Sequence, residues 1–126
     1  MLAVRQAQKL IKQANISGID DVYAFNLPLS ITDNVDSTVI LITDANTTPE
    51  IWASNDFHGL KREVEIQVFY KQDFDVDPEV IESKLYRLFV DNDWDLGENR
   101  GHTYDPDTNQ ITTSFYVYNL KITGGN

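Results

Sequence analysis

The sequence has two histidines, His58 and His102, each with an acid close by: Asp56 before the first and Asp105 after the second. A zinc site needs further nitrogen, sulfur or carboxylate ligands at set spacings, and no HxH or HExxH pattern occurs. Both histidines therefore read as surface or hydrogen-bonding residues. The acids Asp73, Asp75 and Asp77 cluster in a second stretch. Paired carboxylates perform acid–base chemistry when burial splits their pKa values, but these fall in a solvated link, where mutual repulsion and helix capping account for them. Asp105-Pro106-Asp107-Thr108-Asn109 places oxygens at alternate positions, as a calcium loop does at its start. Gln110 then stands where the sharp-turn glycine belongs and Tyr116 where the bidentate glutamate belongs, so the segment reads as a turn. There is no GxSxG elbow and no glycine-rich phosphate loop; Gly97 and Gly101 mark turns. The expectation is a protein without catalytic residues, metal ligands or a cofactor site, and not an enzyme.

Bulk composition narrows the class. The chain has 126 residues, 41% hydrophobic and 24% charged, which suits one folded domain spanning residues 1–126. Twenty acids against ten bases give a net charge of −10. Such a surface repels nucleic-acid backbones and anionic lipid, and no Lys/Arg cluster appears in the sequence. Cysteine is absent, so there are no disulfides and no thiolate chemistry, which fits a reducing compartment. No apolar run is long enough for a signal peptide or a membrane span.

Periodicity supplies the elements. Ala3, Ala7, Leu10, Ile11 and Ala14 share one stripe of an N-terminal helix that ends in Asn15–Gly18, with Gly18 suited to positive φ. Val22–Leu27 reads as a short strand stopped by Pro28. Ser37–Asp44 reads as a strand buried on both faces through Val39–Ile42. Thr43–Lys61, rich in Asn, Asp and Thr and containing Pro49, reads as a long connecting loop. Arg62–Lys71 alternates cleanly, with Val64, Ile66, Val68 and Tyr70 on one face. Asp77-Pro78 starts a second helix, with Glu79 and Glu82 favouring its positive end. Ile81, Leu85 and Leu88 form its core stripe, widened by Val80, Tyr86, Phe89 and Val90, with Trp94 and Leu96 under its end. A hairpin pairs Arg100–Tyr104 with Gln110–Ile122, and residues 124–126 form a short flexible tail. The fold expected is α+β: an antiparallel or mixed sheet of four to five strands packed with two helices.

Two features point outward. Trp52 and Phe57 are large apolar residues in a polar stretch; they either fold back on the core, the commoner fate, or meet a partner. The last strand carries apolar side chains on both faces, Phe115 and Val117 on one, Tyr116 and Tyr118 with Leu120 and Ile122 on the other. It is central in the sheet, or one of its faces is covered by a partner. Trp52, Phe57, Tyr116 and Tyr118 are the expected assembly contacts.

The segments REVEIQVFYKQDFDVDPEVIESKLYRLFVDNDW (62–94) and RGHTYDPDTNQITTSFYVYNL (100–120) resemble the tail terminator, or tail-completion, proteins of long-tailed bacteriophages of Gram-positive hosts. The resemblance covers about half of the chain. It implies an α+β subunit that assembles as a hexameric ring in the neck region of the virion. Such a ring caps the head-proximal end of the tail tube, touching the major tail tube protein on one side and the head connector on the other. DNA passes the acidic lumen without specific binding, and no membrane is involved. A neighbouring neck or minor tail component is the nearest alternative. A small acidic enzyme using the Asp73, Asp75 and His102 neighbourhood and a monomeric binding module are alternatives of other classes.

Overall fold

The alternation of Val64, Ile66 and Val68 sets the layout, because every second side chain of that strand must find apolar cover. The computed structural model describes residues 1–123, so the expected 124–126 tail lies outside the described residues. In chain order the elements are α1 (Ala3–Ala14), β1 (Asp21–Ala24), β2 (Val39–Ala53), β3 (Asp56–Phe69), α2 (Pro78–Asp91), β4 (Asp95–Asp105) and β5 (Gln110–Ile122). The strands form one five-stranded sheet in the order β1-β2-β3-β5-β4. β1 runs parallel to β2, and the other neighbours are antiparallel. The α+β class is as the sequence implies.

One face of this sheet is buried. Cross-strand rows place Val22, Ile40, Ile42, Val64, Ile66, Val68, Phe115 and Val117 together. They join Ala3, Val4, Ala7 and Ile11 of α1 and Ile81, Leu85 and Phe89 of α2 in a single core. Both helices therefore lie on the same side. The local signals for them hold. Asp77 accepts a hydrogen bond from the Glu79 N–H at 2.9 Å and Pro78 opens α2, while Asn15 ends α1 in the left-handed conformation (φ +50°). No helix among the described residues is long and apolar enough to cross a membrane.

Several expectations are corrected. Thr43–Lys61 is not a loop: β2 and β3 continue as paired strands to Trp52↔Phe57 and Ala53↔Asp56. They are joined by Ser54-Asn55, both at positive φ (+53° and +63°). That is the mirror-image two-residue turn whose twist matches a hairpin, made here without glycine. Asn and Asp favour turns over strands, and a strand with neither face buried has no apolar alternation to offset that signal. β1 ends at Ala24 instead of Leu27, where Phe25 turns to φ +72°. β4 starts at Asp95, earlier than Arg100, and every one of its residues is exposed. Val80, Val90 and Leu96 are exposed, whereas Trp94 packs against Phe89 with ring centroids 5.4 Å apart. Phe89, not Leu88, completes the buried stripe of α2.

Arg62 fastens the N-terminus to the sheet. Its side chain is 8% exposed and donates to the Met1 carbonyl (2.9 Å), the Gln6 amide oxygen (2.6 Å) and the Asn119 amide oxygen (3.1 Å). All three acceptors are neutral, and burial pushes the guanidinium pKa below its usual value. Leu2 contributes no side-chain cap to α1, so this clamp fixes where the helix begins. Arg62→Ala removes three hydrogen bonds, leaving the Gln6 oxygen only its 3.3 Å bond from the Asn119 amide, and is expected to cost about 2–3 kcal/mol. Urea unfolding measures the loss, and hydrogen exchange should show α1 amides losing protection first.

Candidate interaction face

The second face of the sheet has no helix on it, and three devices decide what stands there. The first is strand parity. Odd-numbered β3 residues face away from the helices, so Glu65 aligns with Thr43 and Tyr116, and Glu63 with Asn46 and Tyr118. The second is a β-bulge at Ala45, between Asp44↔Val64 and Asn46↔Glu63. It shifts the alternation of β2 by one residue, so Trp52 stands opposite Phe57 on the helix-free face; without it Trp52 would point to the other side. The third is Ile51, whose φ of +59° is unusual for a β-branched residue. A Cβ placed on Gly59 would meet the Ile51 Cδ1 at 3.0 Å and the Leu120 Cδ1 at 3.1 Å, so the glycine lets both close over it.

All four expected contact residues thus share one face. Trp52 is 65% exposed and meets Phe57 edge-on at 6.0 Å; neither belongs to the core. The commoner fate of such residues, folding back, does not apply, because the hairpin carries them beyond the helix layer. Phe57 lies five residues past Arg62, about 17 Å along the strand. Leu120 and Ile122 are 50% and 64% exposed beside them. Tyr116 and Tyr118 are half-buried and held by charge: the Lys61 ammonium lies 4.4 Å from the Tyr118 ring and the Arg100 guanidinium 5.2 Å from the Tyr116 ring. The Tyr116 hydroxyl donates to Glu65 at 3.2 Å, and burial with the nearby Glu65 charge pushes its pKa up. Glu63, Glu65, Glu98, Arg100 and Tyr116 line an open groove of about 320 Å³ on this face.

The residues that could do chemistry are scattered. Asp75 pairs with Lys71 at 3.5 Å and Asp77 caps α2. Asp105 is used inside its turn, accepting from the Asp107 N–H at 2.9 Å and, through its carbonyl, from the Asn109 N–H at 2.7 Å. His58 lies 3.3 Å from the Ala53 carbonyl. Among the described residues no group of three or more His, Asp or Glu side chains is gathered as metal donors. His102 meets neither Asp73 nor Asp75; its Nε2 is 2.7 Å from Glu82 Oε2.

Glu82 is the residue that sequence reasoning misplaced. It is 5% exposed, and its Oε2 also accepts from the Tyr70 hydroxyl at 2.6 Å. The signal was present: Pro78, Glu82, Leu85 and Phe89 are spaced as one buried helical stripe. Glu82 is therefore a core carboxyl group whose contacts with His102 and Tyr70 tie α2 to β4 and to the residue that follows β3.

The match to known proteins follows the whole architecture. Residues 2–121 match a family described as a protein of unknown function, DUF806. The chain belongs to this family. Its matched span runs from α1 to Lys121 in β5, so the hairpin and nearly all of the helix-free face are part of the DUF806 domain. No curated protein matches the chain.

Burial first, and then the Glu82 hydrogen bond and charge, push the Tyr70 phenol pKa far above its usual value of about 10. A raised folded-state value means the fold favours the neutral phenol. Its contribution is complete below about pH 10 and is lost as pH rises beyond that. The urea midpoint should fall above pH 10, and Tyr70→Phe should flatten that alkaline limb.

Proposed function

We propose that the protein is a structural assembly component of a bacteriophage tail, a tail terminator that works as a ring in the neck of the virion. The observation that carries this reading is the helix-free face. A 126-residue acidic domain leaves one face of a five-stranded sheet without helices and extends it past its own core by a hairpin tipped with Trp52 and Phe57. Exposed aromatic anchors beside charged side chains are the usual composition of a protein-binding surface. The resemblance of residues 62–94 and 100–120 to tail-completion proteins supplies the biological setting. In this reading the subunits repeat by rotation, since a heterologous contact that closes makes a ring. The hexamer docks on the last layer of tail tube protein, stops further addition and offers a new surface to the head connector. The excess of acid keeps DNA from adhering as it passes. The work is geometric, and no side chain turns over a substrate.

Native mass spectrometry across a concentration series, with and without tail tubes, tests the reading. A closed hexamer, free or on the tube end, is expected; a chain that stays monomeric even with tubes contradicts it. Trp52→Ser should cost the fold no more than about 1 kcal/mol, the scale of a cross-strand pair, yet should strongly impair joining of heads to tails. A large fall in melting temperature would instead make Trp52 a folding residue.

A further inference from the structure

We propose that copies of this chain associate front to back, the helix layer of one copy against the helix-free sheet face of the next, matched by charge. The inference deepens the ring reading and rests on it for its biological setting.

The chain is acidic overall, but its charges are sorted. No acid precedes Asp20, while Arg5, Lys9 and Lys12 stand exposed on α1, Arg5 over the Phe25 ring at 5.3 Å. Lys84 and Arg87 are exposed on α2 in the same layer, flanking with Ile16 and Leu88 a groove of about 440 Å³ between the helices. Against these five bases the exposed surface of α2 carries only Glu79 and Asp91. The outer surfaces of the two helices are thus basic, although Asp20 and Asp21 line a groove beside Lys12 and Asp77 caps α2; no cluster is visible along the sequence, and folding brings α1 and α2 side by side. The opposite face has the reverse sign. Glu50, Glu63, Glu65, Asp95 and Glu98 stand there, with Lys61 and Arg100 both engaged on tyrosine rings.

A surface that is basic on one side and acidic on the other fits a second copy of itself better than a symmetric partner. Two like faces meeting across a two-fold axis would bring like charges together. Basic on acidic is a head-to-tail contact, the type that closes into rings. The apolar side chains fit the same arrangement: Trp52, Leu120 and Ile122 on the sheet face, and Leu2, Val80 and Val90 on the helix side, are all exposed.

Charge reversal tests it. One variant carries Lys9→Glu, Lys12→Glu and Lys84→Glu; the other carries Glu50→Lys, Asp95→Lys and Glu98→Lys. These positions are exposed, or half-buried in the case of Glu50, and thermal melts confirm that each variant folds. Self-association is read by sedimentation velocity at low and high salt. The wild type should associate at low salt and weaken at least about tenfold as salt screens the contact. Each variant alone should be monomeric, because both of its faces then carry the same sign. An equimolar mixture should associate again, the two chains alternating, and a chain carrying all six substitutions should recover association on its own. A wild type that is monomeric at every salt concentration, a single-face variant that associates like the wild type, or a mixture that stays monomeric overturns the proposal. A wild type that stays monomeric but retains duplex DNA assigns the basic layer to nucleic acid and overturns it too. The two readings fail separately. A ring on tail tubes that is indifferent to salt and charge reversal removes this packing and leaves the terminator. Front-to-back association by a chain that never joins a tube supports the packing and removes the terminator.

Discussion

Two helices are enough to cover one face of this sheet, and both are spent on the same face. The rows through Ile40, Ile42, Val64, Ile66, Phe115 and Val117 need that cover, since burying each large aliphatic or aromatic side chain contributes roughly 1.5–3 kcal/mol. The second face has no helix left to bury it. It must therefore be either polar or partnered. It is mixed: glutamates and glutamine alternate with tyrosines whose rings are shielded by Lys61 and Arg100. That arrangement covers part of the aromatic area with charge while leaving the rest open to an apolar contact.

The hairpin depends on the same constraint. Beyond Arg62 the helix layer ends, and β2 and β3 continue with little cover from the rest of the domain. β1 pairs with β2 only from Val39 to Ile42, so the rest of β2 is an edge, as is β4. Long open edges invite unwanted pairing. Here Pro49 and the Ala45 bulge interrupt one edge, while Glu98, Arg100 and two register shifts interrupt the other. Protected edges leave the faces as the larger uninterrupted surfaces, and the exposed aromatic residues stand on one of them.

Much of this was legible in the residues themselves. The clean alternation of β3, the Asp77-Pro78 start of α2 and the apolar stripe of α1 each gave an element, because their local period matches the burial that folding imposes. The hairpin was not legible. A strand with neither face buried has no period-two apolar signal, and its Ser54-Asn55 turn lacks the glycine that usually announces one. Trp52, Phe57, Tyr116 and Tyr118 could be singled out by type, but their sharing a face depends on a one-residue bulge that no composition reveals. The buried pair Tyr70–Glu82 was missed for a different reason: a carboxylate near a helix start already has an adequate explanation in the dipole. Only the stripe through Pro78, Leu85 and Phe89 reveals that it points inward.

The central claim is that the helix-free face is where this protein meets its neighbours. Hydroxyl-radical footprinting, resolved by residue and comparing the free chain with the chain bound to tail tubes, tests it most directly. The account predicts that Trp52, Tyr116 and Tyr118 lose most of their labelling in the assembly. Unchanged labelling of those three aromatic residues in a chain that has joined the tube would contradict it.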